Sequence, residues 1–485
     1  MKPEFELKLG IKSRYVFFIV GFITIASIIN AIFFELYALF LIPLAILFVF
    51  LCVFDFTKIY YLLLLCIPIS MEISVPGGFT TDLPAEPLMI LMMGIYFLFL
   101  ITNKDNFPHK FLSSPIIQIL IIHIIWIFIT ALFADIKLIA IKFFLAKIWY
   151  VSVFVFLSGM LIKTQKDFKE VLWFITIPLA FTIIVAIIKH AGYGFSFDDV
   201  NRSLIPYYRN HVNYAALLSL LLPFIWVAPK WYDNNSWQKH FFKISRYLIL
   251  LGIILAYTRG AWLALIIGVC FVFFLKRKWI ARSFIAGIIA LTCISYYIVT
   301  DNSYLDHAPD FKTTVYHGDL QEHLSATTEL KDVSGAERIY RWVSAARMSF
   351  ENPVTGFGPN NYYHHYKSYT VSMFSTYVSD NPEKSGTHNY FLMTLTEQGF
   401  VGLIIFVILT FVIFYRGIKL YHLITDKPNK EFVMLILTSM VIIYVQLMLS
   451  DLIEALKIGV FYFLNISLLV NQEIIYNSSK NELSS

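Results

Sequence analysis

Apolar runs of about twenty residues, separated by short polar punctuation, recur along almost the whole chain; that is the length a helix needs to cross roughly 30 Å of hydrocarbon. The pattern predicts about fourteen spans, near residues 14–33, 35–54, 58–72, 86–102, 114–133, 139–162, 168–189, 210–228, 245–258, 260–276, 279–300, 388–415, 431–450 and 453–471. One stretch interrupts the pattern. Residues 301–387, from Asp301 to Thr387, are polar enough to build a folded surface outside a bilayer, and they run into Thr387-His388-Asn389. Within them, SGAERIYRWVSAARMSF places Ile339, Trp342, Val343, Ala346 and Phe350 at helical spacing, which predicts an amphipathic helix stopping at Glu351-Asn352-Pro353. The glycines of TGFGPN then permit a tight return.

The expected fold is all-α: a polytopic integral membrane protein of about 12–14 transmembrane helices with one large loop containing short helices. Three parts are expected: N-terminal transmembrane helices at 1–200, a core at 201–415 that includes the loop, and C-terminal helices with a tail at 416–485.

Composition agrees. A chain that is 58% hydrophobic and only 14% charged, with a mean hydropathy of +0.69, is no ordinary soluble protein. The basic segment MKPEFELKLGIKSR precedes a long apolar run without a small-residue cleavage site, so a retained first helix is expected. Cys52, Cys66, Cys270 and Cys293 all fall in apolar runs without CxxC spacing and read as small hydrophobes.

Charge placement sets the expected orientation. With the N-terminus in the cytoplasm, basic clusters at Lys2/Lys8/Lys12/Arg14, Lys104/Lys110, Lys163/Lys166/Lys169, Lys230/Lys239/Lys243/Arg246, Lys276/Arg277/Lys278/Arg282 and Arg416/Lys419/Lys427/Lys430 all fall inside. The long loop then lies outside, and the C-terminal tail NSSKNELSS inside.

Basic residues on the outer side become exceptions: Lys189, Arg202, Arg209, Arg259, Lys312, Lys331, Arg338, Arg341, Arg347, Lys367, Lys384 and Lys457. Arg259, in AYTRGAWLAL, sits in an apolar stretch at a tight turn, where a charge either faces an internal cavity or partner or snorkels to the interface. Arg209, Asn210, His211 and Asn213 cluster at the mouth of the eighth span. Asn210 can cap the helix, and a helix start beside an arginine suits a phosphate; a plain cap with an interfacial arginine is the alternative. Arg338 and Arg341 share a face, as do Arg338 and Trp342. Two planar guanidinium forks suit a pyrophosphate better than lysines would, against the alternative of a solvated basic face.

His388 is expected in the first turn of the twelfth span, where the helix dipole would lower its pKa and keep the imidazole neutral, as a general base requires. A cap or interfacial role is the alternative. His364/His365 and His317/His323 are further histidine pairs. Glu397 is half a turn out of phase with His388, and Gly399 and Gly402 read as helix packing. Asp451 and Glu454, between the last two spans, could offset the arginines or contact an acceptor; Asn210, His211, Trp342, Asn389 and Asp451 form a second rank of site residues.

RNHVNYAALLSLLLP at 209–223, TRGAWLAL at 258–265, ERIYRWVSAARMSFENPVTGFGPNNYY at 337–363 and HNYFLMTLTEQGFVGL at 388–403, in this order, resemble the O-antigen ligase and polymerase superfamily. The resemblance implies an inverting glycosyl transfer that needs no metal or other cofactor. The donor would be a glycan on undecaprenyl pyrophosphate, with Arg209, Arg259 and Arg338 holding the pyrophosphate, Arg341 beside them, and His388 as base. The acceptor would be lipid A-core or another glycan, the remaining partners membrane lipids, and nothing points to nucleic acid. His211 stands where the family pattern would have glycine or proline, and Arg341 is not required by it.

Two rivals come from other classes. A flippase for lipid-linked oligosaccharide would also want outer arginines but leaves the long loop unexplained, and no internal repeat marks a transporter. A metal-dependent transferase would use carboxylates such as Asp82 and Glu86 or Asp198 and Asp199. A structural scaffold leaves Arg259 without a reason.

Overall fold

The computed structural model describes residues 13–33, 39, 41–75, 79–103, 109–300, 333–371, 375, 379–381 and 385–484. Its helices are α1 (Ser13–Phe33), α2 (Leu41–Phe54), α3 (Phe56–Ile69), α4 (Ala85–Thr102), α5 (His109–Leu112), α6 (Pro115–Phe133), α7 (Lys137–Tyr150), α8 (Ser158–Leu161), α9 (Gln165–Gly192), α10 (Val200–Leu204), α11 (His211–Val227), α12 (Trp237–Leu255), α13 (Arg259–Lys276), α14 (Ile280–Val299), α15 (Val333–Glu351), α16 (Tyr362–His365), α17 (Tyr390–Leu423), α18 (Lys427–Leu447) and α19 (Leu456–Ser484). One π-helical segment, Val151–Leu157, joins α7 to α8. Among the described residues there is one antiparallel strand pair, β1 (Met71–Val75) with β2 (Phe79–Leu83), which pairs Met71 with Leu83 and Glu72 with Asp82.

Each of the fourteen expected spans has a helix. Among the described residues nine helices are long and apolar enough to cross a membrane, ten if the sharply bent α2–α3 pair counts as one. The chain is thus an all-α, multi-pass membrane protein. The third expected span stops three residues short, at Ile69, because the chain turns there into β1. Helix starts follow local chemistry: Thr164 and Asp167 form a reciprocal capping box on α9, and Asn210, Ser236, Asn389 and Asp426 cap α11, α12, α17 and α18.

Helices α11, α18 and α19 are buried over most of their length and form the centre; α13 and α17 keep most of their residues on the outside. Large apolar side chains such as Phe22, Phe133, Ile188 and Val269 stay exposed there, as a surface solvated by lipid requires.

The connections sort cleanly onto two ends. At one, Lys457 donates to the carbonyls of Pro68, Ser70 and Tyr207, Asp135 pairs with His365, Thr258 reaches His211 and Asn389 reaches Met448. These are the links after the third, fifth, seventh, ninth, eleventh and thirteenth spans. At the other, Lys169 reaches Trp231, Lys230 pairs with Glu431, Asn471 donates to Gly159 and Ile162, and Arg416 pairs with Glu473. These contacts gather the links after the sixth, eighth and twelfth spans and the C-terminal part of α19 at this second end.

Helix α17 is broken at Gly399, whose φ of +69° and ψ of −176° are not helical. The expected packing role belongs to Gly402, which lies against Trp126; Gly399 instead opens the backbone. The freed groups are taken by the turn after α15. Phe357 N–H donates to Thr396 O at 3.0 Å, Gly358 N–H to Glu397 O at 2.9 Å, and Phe400 N–H to Pro353 O at 2.8 Å. The Glu397 carboxylate accepts from the N–H groups of Asn360 and Tyr362 at 2.7 and 3.3 Å. Glu397 thus bolts the NPVTGFGPNNYY turn to α17 and fixes where α15 lies.

Candidate active site

The short turn Met448–Asp451, after α18, is where the elements carrying candidate chemistry meet. Met448 O accepts from the Asn389 side chain at 3.2 Å. Leu449 packs on Gly260, next to Arg259, and Asp451 Oδ2 lies against Gly386. The turn continues into a one-turn 3-10 helix at Leu452–Glu454, and Glu454 is held from beneath by Lys147 at 2.7 Å. Lys147 is 3% exposed, a lysine inside an expected apolar span, which is costly unless paired.

His388 does not open the helix. It precedes the cap Asn389 and has a left-handed backbone with φ +53°. Its pKa is lowered to about 4, and the first cause is burial rather than the helix dipole. Asp451 opposes the shift, Arg341 and Arg338 reinforce it, and Glu337 opposes it again. The ring is thereby kept neutral, as expected, by a different physical route.

Arg341 is the closest partner. Its Nη1 stands 2.7 Å from His388 Nε2 and 3.3 Å from Gly386 O, and its Nη2 lies 3.3 Å from Glu337 Oε2. Ser379 donates to Glu337 Oε1 at 2.5 Å. Helix α15 is steadied on this face by Tyr362, whose hydroxyl donates to Arg341 O at 3.1 Å and bonds Ser344 at 2.8 Å. Burial pushes that phenol well above its ordinary pKa. Arg338 is half-buried on the same helix, close enough for its charge to be felt at His388.

Arg209 and Arg259 are joined through their neighbours. Thr258 Oγ1 donates to His211 O at 3.3 Å, so the side chain just before Arg259 touches the backbone two residues after Arg209. Asn210 caps α11 through Asn213 N–H at 2.9 Å. His211 donates from both its backbone N–H and Nδ1 to Asn201 Oδ1, at 2.9 Å each. Arg209 is exposed and Arg259 half-buried at the first position of α13.

Other predicted residues are not gathered here. His365 is engaged with Asp135 and Phe357, and His364 is exposed beside Tyr363. Trp342 is half-buried with its indole N–H unpartnered. Lys457, Lys189, Arg202 and Arg347 serve carbonyls or a nearby carboxylate. Asp82 is pushed up to about 6 by burial and by the charge of Glu86, which accepts from Thr81; Asp199 pairs with Arg202. His317, His323, Lys312, Lys331 and Lys384 lie outside the described residues.

Sequence reasoning missed Glu337 and Lys147. Glu337 is readable as the i, i+4 partner of Arg341, and Lys147 as a lone charge in an apolar run.

Residues 244–407 match the protein-family model described as O-Antigen ligase. The match includes Arg259, Arg338, Arg341 and His388; Arg209 and Asp451 fall outside it. No curated protein matches the chain.

Proposed function

As this chain belongs to the O-antigen ligase and polymerase superfamily, we propose that it is an inverting glycosyltransferase, moving a glycan from undecaprenyl pyrophosphate onto an acceptor hydroxyl at the periplasmic face of the inner membrane. The observation that carries the reading is the Arg341–His388 pair, set beside Asp451 on the turn whose Leu449 packs on Gly260, the neighbour of Arg259. A neutral imidazole among several guanidiniums suits one reaction type: a proton leaves a hydroxyl while negative charge departs on a phosphate.

In this mechanism the acceptor oxygen attacks the anomeric carbon as the bond from that carbon to the pyrophosphate oxygen breaks. The hydroxyl proton passes to His388, and the bonding pair leaves with undecaprenyl pyrophosphate. Arg209, Arg259 and Arg338 stabilise the departing charge. Apolar outer faces of the bundle accommodate the polyprenyl tail, which keeps the anomeric carbon at the membrane surface. Of the two family activities we favour ligation to lipid A-core.

Transfer from purified lipid-linked glycan to purified acceptor, in detergent, tests the reading. Translocation in vesicles without transfer would replace it with a flippase. Transfer lost in EDTA and restored by a divalent ion would replace the arginine mechanism with a metal-dependent one. Gene deletion followed by gel analysis of surface glycans separates the two family activities: bare lipid A-core with accumulated lipid-linked polymer identifies a ligase, and a single repeat on the core a polymerase.

A further inference from the structure

A neutral imidazole has one lone pair in its ring plane, and at His388 that pair is occupied. Arg341 Nη1 stands 2.7 Å from Nε2, and a guanidinium can only donate, so Nε2 accepts and the ring proton resides on Nδ1. In this arrangement His388 has no electron pair with which to take a hydroxyl proton. The guanidinium itself is incompletely satisfied. It is buried at 5% exposure; two of its contacts are long, at 3.3 Å each; and its buried Nε has no hydrogen-bond partner. Phosphate oxygens would complete it, since the planar fork donates to them in parallel pairs.

Resting on the transferase reading above, we propose that Arg341 is a positioning residue coupling donor binding to release of the base. Without donor, its guanidinium holds the His388 lone pair. The donor's pyrophosphate draws the guanidinium onto itself, and Nε2 becomes available to the acceptor hydroxyl. Glu337 keeps hold of Nη2 through the change and is held in place by Ser379. One side-chain movement thereby supplies both a base for the incoming proton and a counter-charge for the leaving pyrophosphate. Binding becomes ordered, donor before a productive acceptor.

The groups whose charge His388 feels are Glu337, Arg338 and Arg341 from α15 and Asp451 from the turn after α18. Nitrogen-15 NMR of histidine-labelled full-length protein in detergent, with the His388 signals identified by their loss in His388→Gln, reads tautomer and titration together. The probe is inorganic pyrophosphate. Donor-free wild type is expected as the Nδ1–H tautomer, titrating well below an ordinary histidine. Arg341→Met should titrate about one pH unit higher or more. Pyrophosphate should raise the wild-type midpoint, and raise that of Arg341→Met by less. An Nε2–H tautomer in donor-free wild type, equal midpoints in the two proteins, or a wild type indifferent to pyrophosphate would each overturn the proposal. If Arg341→Met does not fold, the wild-type tautomer and pyrophosphate response decide alone. None of these readouts needs glycan transfer. A protein that shows them but transfers nothing keeps the coupling and loses the transferase reading, and a transferase whose His388 ignores pyrophosphate does the reverse.

Discussion

Asp451 occupies the space that a side chain at residue 386 would need: a Cβ on Gly386 would lie 2.4 Å from Asp451 Oδ2. The carboxylate can therefore reach the backbone two residues before His388 only because residue 386 is glycine. Its charge is the main influence opposing the fall in the His388 pKa. Gly386→Ala should push the carboxylate away, weaken the base and slow transfer by roughly tenfold, the equivalent of about one pKa unit. Asp451→Asn should act in the same direction. A Gly386→Ala enzyme with the wild-type initial rate would separate Asp451 from the chemistry.

His388→Ala should reduce transfer by about 10²–10⁴-fold, the usual contribution of a positioned base, while binding of lipid-linked donor persists. Arg259→Ala should cost about 10²–10³-fold through lost stabilisation of the leaving charge, and lysine should restore only part because it lacks the fork. Initial rates alongside donor-binding titrations check both. A His388→Ala enzyme retaining more than about a tenth of its rate would remove the base from this position.

Stability should fall on the acid side of neutrality. His388 titrates near 4 in the folded chain against an ordinary value of 6.5, so above 6.5 it is neutral in both states and its share of stability is complete. As pH drops, the unfolded chain binds the proton first; stability is lost progressively between about 6.5 and 4 and then levels off. Thermal melts of wild type and His388→Gln at about pH 7.5 and pH 5 should show a smaller acid-side loss in the variant. Parallel losses would mean that His388 is protonated in the folded protein.

Lys147 and Glu454 form a 2.7 Å pair with the lysine almost wholly enclosed. Lys147→Met strands an acid beneath the turn that carries Asp451, and breaking such a pair costs about 3–5 kcal/mol when both members are buried. Glu454 keeps some exposure, so the lower end of that range is expected. The Lys147→Met/Glu454→Gln double variant should recover part of the loss, because no charge is left alone. Denaturation of the three proteins in one detergent tests this; a double variant no better than the single one would deny the coupling.

Gly399→Ala should destabilise by about 2–5 kcal/mol, from the left-handed backbone and from overpacking, since its Cβ would lie 2.1 Å from Val354 O. Gly94, with nothing within 4 Å of its Cβ position, is the matched control and should tolerate alanine. Equal melting temperatures would show that the break in α17 is dispensable.

Much of this protein was legible before folding, because membrane insertion writes itself along the chain. Apolar runs of spanning length and one polar stretch each depend on local composition, so the helical, multi-pass character and the helix at 333–351 follow from periodicity, whereas of about fourteen expected spans nine or ten helices among the described residues are long and apolar enough to cross a membrane. His388 and Arg341 were readable as chemistry of the right kind. Their contact was not, since residues 47 positions apart carry no mark of their separation in space.

The tertiary structure decided which charges meet. Glu397 became a bolt for the turn after α15 because Gly399 opens the helix beside it, and Lys457 proved to be a clamp on three carbonyls. His388 owes its lowered pKa to enclosure by α15 and the Met448–Asp451 turn rather than to the dipole of its own helix. Hydrophobic length is a property of a segment, whereas burial and hydrogen-bond partnership belong to the packed whole; the sequence by itself therefore determined a helical membrane protein with arginines and a histidine at one end, and only packing determined that Arg341 holds the histidine's lone pair.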